Sequence, residues 1–177
     1  MSNGPFGFEC GQKMESFSSS LREIAPFKFS ISEVPKPHSA FDQYIGVITP
    51  THGLTWLKAI GKTIVTNPFG VEVRSSFESM KEKLGKIYEK YDLMDFLMHD
   101  SIWNEPRDWM QALQKGERVL MAQWTLKHGS RMKDSLVSVA LIACAIDTDE
   151  GFIVVEYEFE NNVLAEAEIA AMEDDVL

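Results

Sequence analysis

The chain has 177 residues, with 27 acidic against 17 basic side chains and a formal net charge of −10 at pH 7. That balance excludes nucleic acid and anionic membrane as main partners, favours solubility and suits a basic protein partner. Hydrophobic residues make up 45% of the chain, enough for a core, yet no apolar run reaches the roughly 20 residues of a membrane span.

The first residues, MSNGPFGFECG, hold neither a basic leader nor an apolar stretch, so no signal peptide and a cytoplasmic location are expected. Cys10 and Cys144 make no C-x-x-C or zinc-ligand spacing. They are expected to be free, buried thiols of a reducing compartment.

The first element is announced by PFGFE at 5–9, which recurs as PFGVE at 68–72. Aligned without gaps, PFGFECGQKMESFSSSLREI lies over PFGVEVRSSFESMKEKLGKI. Met14 falls on Phe77, Phe17 on Met80, Leu21 on Leu84 and Ile24 on Ile87. The spacing i, i+3, i+7, i+10 predicts an α-helix in both places, each following a Pro-Gly turn and burying one face. Alternating apolar residues then predict strands over 27–34, 41–49 and 53–61 after the first helix. After the second, they predict strands over 118–126, 135–147 and 151–160. The second stretch carries an insertion at 92–117, where Asp108–Gln114 reads as a short helix following Pro106 and stopping at Gly116. The tail at 161–177 predicts an acidic helix with an apolar face of Val163, Ala167, Ala170 and Ala171.

The expected fold class is therefore α+β, a single domain over 1–177 with an internal repeat of 4–66 and 67–160. One antiparallel sheet of about six strands, built from two diverged helix-βββ units, would carry helices packed on one face and a C-terminal helix. Strand parity gives Ile153, Val155, Tyr157 and Phe159 to the helices. The opposite face receives Phe152, Val154, Glu156 and Glu158, joined by Trp56 and Lys58 of the aligned strand.

No GxGxxG, P-loop, GxSxG or HExxH motif occurs, and His38, His52, His99 and His128 are not spaced as metal ligands. No cofactor, no metal and no catalytic residue is assigned. Two constellations remain. On the sheet face, Trp56, Lys58, Phe152, Val154, Glu156 and Glu158 combine large apolar anchors with charge, the composition of a protein interface. If the tail helix or the insertion folds over that face, the same residues become ordinary core. In the insertion, HDSIWNEPRDW at 99–109 sets His99, Asp100 and Glu105 between Trp103 and Trp109. Carboxylates beside an imidazole suit proton transfer, and indoles suit pocket walls; the competing reading is packing mass for the end of the sheet.

The order of elements, two helix-plus-three-strand units in tandem, resembles inhibitor proteins of the β-lactamase inhibitor type, without their secretion signal and disulfides. In general character the chain is similar to small bacterial proteins carried on integron gene cassettes and other mobile elements, a likeness that implies self-association. Together these readings lead to a non-enzymatic binding protein of inhibitor, immunity or regulatory type, self-associating. The alternative is a small-molecule-binding protein or enzyme with its pocket around 99–109.

Overall fold

The structure, a computed structural model, describes residues 4–176; residues 1–3 and Leu177 lie outside the described residues, the last of these at the end of the expected tail helix. In chain order the elements are β1 (Leu21–Ala25), β2 (Lys28–Ile31), β3 (Phe41–Thr49), β4 (Gly53–Gly61), β5 (Ile64–Val65), α1 (Val71–Tyr88), β6 (Asp92–Leu97), α2 (Trp109–Gln114), β7 (Arg118–Thr125), β8 (Leu136–Ala145), β9 (Glu150–Phe159) and α3 (Asn162–Asp174). The class is α+β, with one antiparallel sheet in the order β1-β2-β3-β4-β9-β8-β7-β6 and β5 paired to β9. Among the described residues that makes nine strands where the sequence pattern suggested about six. The six expected strands are all present; β1, β5 and β6 are additional.

The first expected helix does not form. Met14–Phe17 is a short 3-10 turn, and Leu21–Ala25 is a strand hairpinned to β2. Ser18, with φ 54°, breaks the helical path, and the serine run Ser18–Ser20 weakens it further because serine hydroxyls compete for backbone partners. Here the Ser20 hydroxyl donates to the Phe17 carbonyl at 2.6 Å. Proline first and a positive φ second then make the two-residue turn between β1 and β2: Pro26, and Phe27 at φ 60°.

The chain divides into two compact units, neither of them a continuous stretch. Unit 1 holds the chain up to Ala59, Met132–Ser138 and the chain from Glu156 onward. Its core lies on one face of β2, β3 and β4, with Phe29, Ile31, Tyr44, Ile48 and Leu57 all buried. In place of a helix, the aromatic N-terminal segment closes this core. Phe6 meets Phe41, Tyr44 and Tyr157 edge-on at 5.0–5.7 Å between ring centroids, and Phe8 stacks on Phe17 at 5.7 Å. Such aromatic pairs add roughly 0.5–1.5 kcal/mol each beyond their buried area.

Unit 2 holds Ile60–Arg131 and Val139–Val155. Here the expected helix exists as α1. Val73, Phe77, Met80, Leu84 and Tyr88 are buried, so Tyr88 takes the place that spacing assigned to Ile87, which is exposed. Tyr88 reaches Trp124 of β7 at 6.5 Å between centroids, and the Val73 side chain packs on Gly151 of β9. Met110 of α2 also faces Gly151. Both helices of unit 2 therefore cover the same sheet face, the one bearing Leu120, Ala122, Trp124 and Ile153.

Cys10 and Cys144 form no disulfide and are only half-buried. No helix among the described residues is long and apolar enough to cross a membrane.

Candidate functional site

The tryptophan-rich segment does not gather its polar groups. The His99 and Asp100 side chains touch at 3.0 Å but stand 99% and 100% exposed. Glu105 works elsewhere: it closes a capping box with Asp108, whose carboxylate accepts the Glu105 backbone N–H at 3.2 Å, at the start of the 3-10 turn Pro106–Asp108. Trp109 is buried, with the Arg74 and Arg118 guanidinium groups 5.2 and 5.8 Å from its ring. Trp103 is half-buried, and its backbone N–H donates to the Ser101 hydroxyl. One indole thus fills the core of unit 2 beside two cations, while His99 and Asp100 stand in solvent and Glu105 caps a turn. Among the described residues, no three His, Cys, Asp or Glu side chains gather closely enough to hold a metal ion.

The sheet-face residues fall in two places. Trp56, Lys58, Glu156 and Glu158 belong to unit 1, and Phe152 and Val154 to unit 2. In unit 1 the tail helix α3 covers part of the face. Lys28, Trp56 and Glu158 line a cavity of about 390 Å³ with Asn162 and Ile169 of α3. The Lys28 ammonium sits 5.7 Å from the Trp56 ring, Lys58 pairs with Glu156 at 3.3 Å, and Asn162 donates to Glu158 at 3.3 Å. The face α3 turns inward carries Ala165 and Ile169; Val163, Ala167, Ala170 and Ala171, expected inside, are exposed. The helix is fixed at its polar edge instead. Asn161 donates to the carbonyls of His52 and Leu54 at 2.9 and 3.1 Å, and Glu168 accepts the Thr51 N–H at 3.0 Å. Burial acts to raise the Glu168 carboxyl, but hydrogen bonds from Thr49 and Thr51, with His52 nearby, together hold it below its ordinary value.

In unit 2, Val154 is 2% exposed, so it is buried mass and not an exposed anchor. Phe152 is half-buried. By alternation, the face opposite α1 and α2 also carries Val119 and Met121 of β7, Ile142 of β8, and Met94 and Phe96 of β6. Sequence reasoning missed β6. It pairs with β7 in unbroken register, Met94 opposite Met121 and Phe96 opposite Val119. Its other edge is the end of the sheet. Around that edge Tyr91, Leu93, Phe96, Met98 and Ile102 expose between 41% and 75% of their surface. Edges are guarded by charge, proline, bulges or short length; this six-residue strand carries no lysine, proline or bulge, and its charges are Asp92 and Asp95, the latter 3.5 Å from Arg118. The signal was present as apolar residues flanking single aspartates in DLMDFLM.

Comparison of the chain with known protein families, with curated proteins and with solved structures finds no match in any of the three.

Proposed function

We propose that the chain is a non-catalytic protein-interaction module of inhibitor or regulatory type, and that it self-associates through the free edge of β6. The observation that carries this reading is the open edge of β6, with exposed apolar side chains on both faces and only two aspartates as charge. The exposed apolar residues lie on both faces of the strand, Leu93 on the face it shares with Ala122 and Phe96 on the face it shares with Val119, so a strand added at this edge finds apolar neighbours above and below the sheet.

A second copy of the chain fits this edge better than an unrelated strand does, because β6 is compatible with itself. Two identical strands paired antiparallel about a two-fold axis must place one residue opposite its own counterpart. Centring on Asp95 would oppose two carboxylates, which is unfavourable. Centring on Met94 sets Met94 against Met94, Asp92 against Phe96 and Leu93 against Asp95, with no like charges directly opposed.

Sedimentation of the purified chain at high micromolar concentration is expected to give a dimer. In a Cys10→Ser, Cys144→Ser background, Met94→Cys is expected to oxidise to a covalent dimer. Met94→Lys with Phe96→Lys is expected to give a monomer that keeps its melting temperature. A wild-type chain that stays monomeric, or a dimer indifferent to the two lysines, overturns the reading.

A further inference from the structure

Unit 1 carries a cleft of about 900 Å³, within the roughly 300–1,000 Å³ of small-ligand sites. The 3-10 turn Met14–Phe17, the end of β2 and the start of β3 enclose it. Phe8, Phe17, Phe41 and Tyr44, all nearly fully buried, make its floor.

The rim has an unusual polarity. It holds Ser16, Ser18, Ser20, Ser30 and Ser32; among the described residues its only charged groups are Glu33 and Asp42, and no lysine, arginine or histidine lines it. Three of the serines spend their single hydroxyl proton on the backbone. Ser16 donates to the Lys13 carbonyl at 2.7 Å, Ser20 to Phe17 at 2.6 Å, and Ser32 to Ser20 at 3.1 Å. A hydroxyl has one proton and two lone pairs, so these groups have acceptors left to offer a ligand. The Tyr44 hydroxyl already accepts the His38 backbone N–H at 3.2 Å. Burial raises the Tyr44 pKa, that bond lowers it, and the Asp42 charge raises it again; Asp42 and Tyr44 both line the cleft.

An anion would meet two carboxylates and no cation here. A ligand bearing several N–H donors and a positive charge would meet hydroxyl oxygens, carboxylates and an apolar floor for its stem. The geometry points to a binding site for an ammonium or guanidinium group on an aliphatic stem, held by Glu33 and Asp42 at the rim. The same chemistry comes from a free polyamine or from a lysine or arginine side chain of a partner protein. The site lies in the other unit from β6 and does not depend on self-association.

Amide chemical shifts and titration calorimetry on the full chain at physiological salt test it, with three probes: spermidine, a short peptide carrying one lysine, and the same peptide with that lysine acetylated. The first or second probe is expected to shift the amides of Ser16, Ser32 and Tyr44 at saturation. Spermidine alone binding identifies a free amine as the source; the lysine peptide alone identifies a partner side chain. Glu33→Gln with Asp42→Asn is expected to weaken binding at least tenfold without moving the melting temperature, and Met94→Lys with Phe96→Lys is expected to leave it intact. Equal binding of the acetylated peptide overturns the proposal. So do shifts scattered over the whole acidic surface, or an affinity unchanged in the double variant.

Discussion

In unit 1, Pro5-Phe6-Gly7 turns the chain into an extended aromatic segment; in unit 2, Pro68-Phe69-Gly70 turns it into an 18-residue helix. The turns themselves are alike. Gly7 and Gly70 both have a positive φ, 83° and 65°, and both press against a neighbour, Pro35 in one case and the Trp109 ring in the other. The difference lies downstream. Gly11 stands where the second stretch has Arg74, and Ser18, Ser19 and Ser20 stand where it has Lys81, Glu82 and Lys83. Glycine costs roughly 1 kcal/mol in a helix interior and serine several tenths, against strong formers at the aligned positions of the second stretch. The Lys81–Glu78 pair at 2.6 Å adds a favourable i, i+3 neighbour. A shared apolar spacing is thus insufficient for a helix when the residues between the apolar positions oppose it.

Truncating aligned residues is expected to separate the two segments most strongly. Phe77 is fully buried, while its counterpart Met14 is 38% exposed. Phe77→Ala is expected to cost about 3–5 kcal/mol in urea unfolding, and Met14→Ala less than about 0.5 kcal/mol. Equal losses would mean that both segments pack as helices. Next in size are the turn glycines. Gly70→Ala combines backbone strain with a Cβ driven into a buried indole, and is expected to cost about 3 kcal/mol. Gly7→Ala meets Pro35 at 2.8 Å, on a half-buried surface, and is expected to cost about 1–2 kcal/mol. A reversed order, read from thermal melts, would contradict the packing around Trp109.

The smallest effect concerns how each unit holds its helix. α1 is fixed by apolar burial and is expected to be insensitive to mild acid, whereas α3 is held by Glu168. The folded carboxyl titrates below its ordinary value of 4.5. Its stabilisation is therefore fully present above that value and is lost as pH falls through the lower folded pKa. Glu168→Gln should lower the melting temperature at pH 7 and make no difference near pH 3. A difference that persists in acid would assign the role of Glu168 to shape alone.

The sequence made β2, β3, β4, β7, β8 and β9 legible because each is an apolar-rich or alternating stretch bounded by clear turns; β3 and β4 match the expected ranges residue for residue. It failed at Leu21–Ala25, where Leu21 and Ile24 fit a helical stripe and a strand equally well, and only the serines before them tell the two apart. The ends of the helices misled for the same reason, one residue of phase moving burial from Ile87 to Tyr88. Of the candidate sites, the pairing of Lys58 with Glu156 follows from strand parity. The cleft does not, because it is made by turns whose hydroxyl directions depend on backbone carbonyls supplied by folding. The edge character of β6 was hidden too, since being last in a sheet is a property of topology and not of composition.

The place of β9 in the sheet has a consequence for how the chain reaches its structure. It is the last strand in the sequence yet lies between β4 and β8. During synthesis, β4 completes its hairpin with β3 long before its other neighbour exists, and β8 waits for the same strand. Pairings between such distant segments pay loop-closure entropy before they return any stability. Folding is therefore expected to be slow and to finish in one late step. A nascent chain that stalls short of residue 159 exposes two unpaired strands, each apolar on one face and open to association with its neighbours on a polysome.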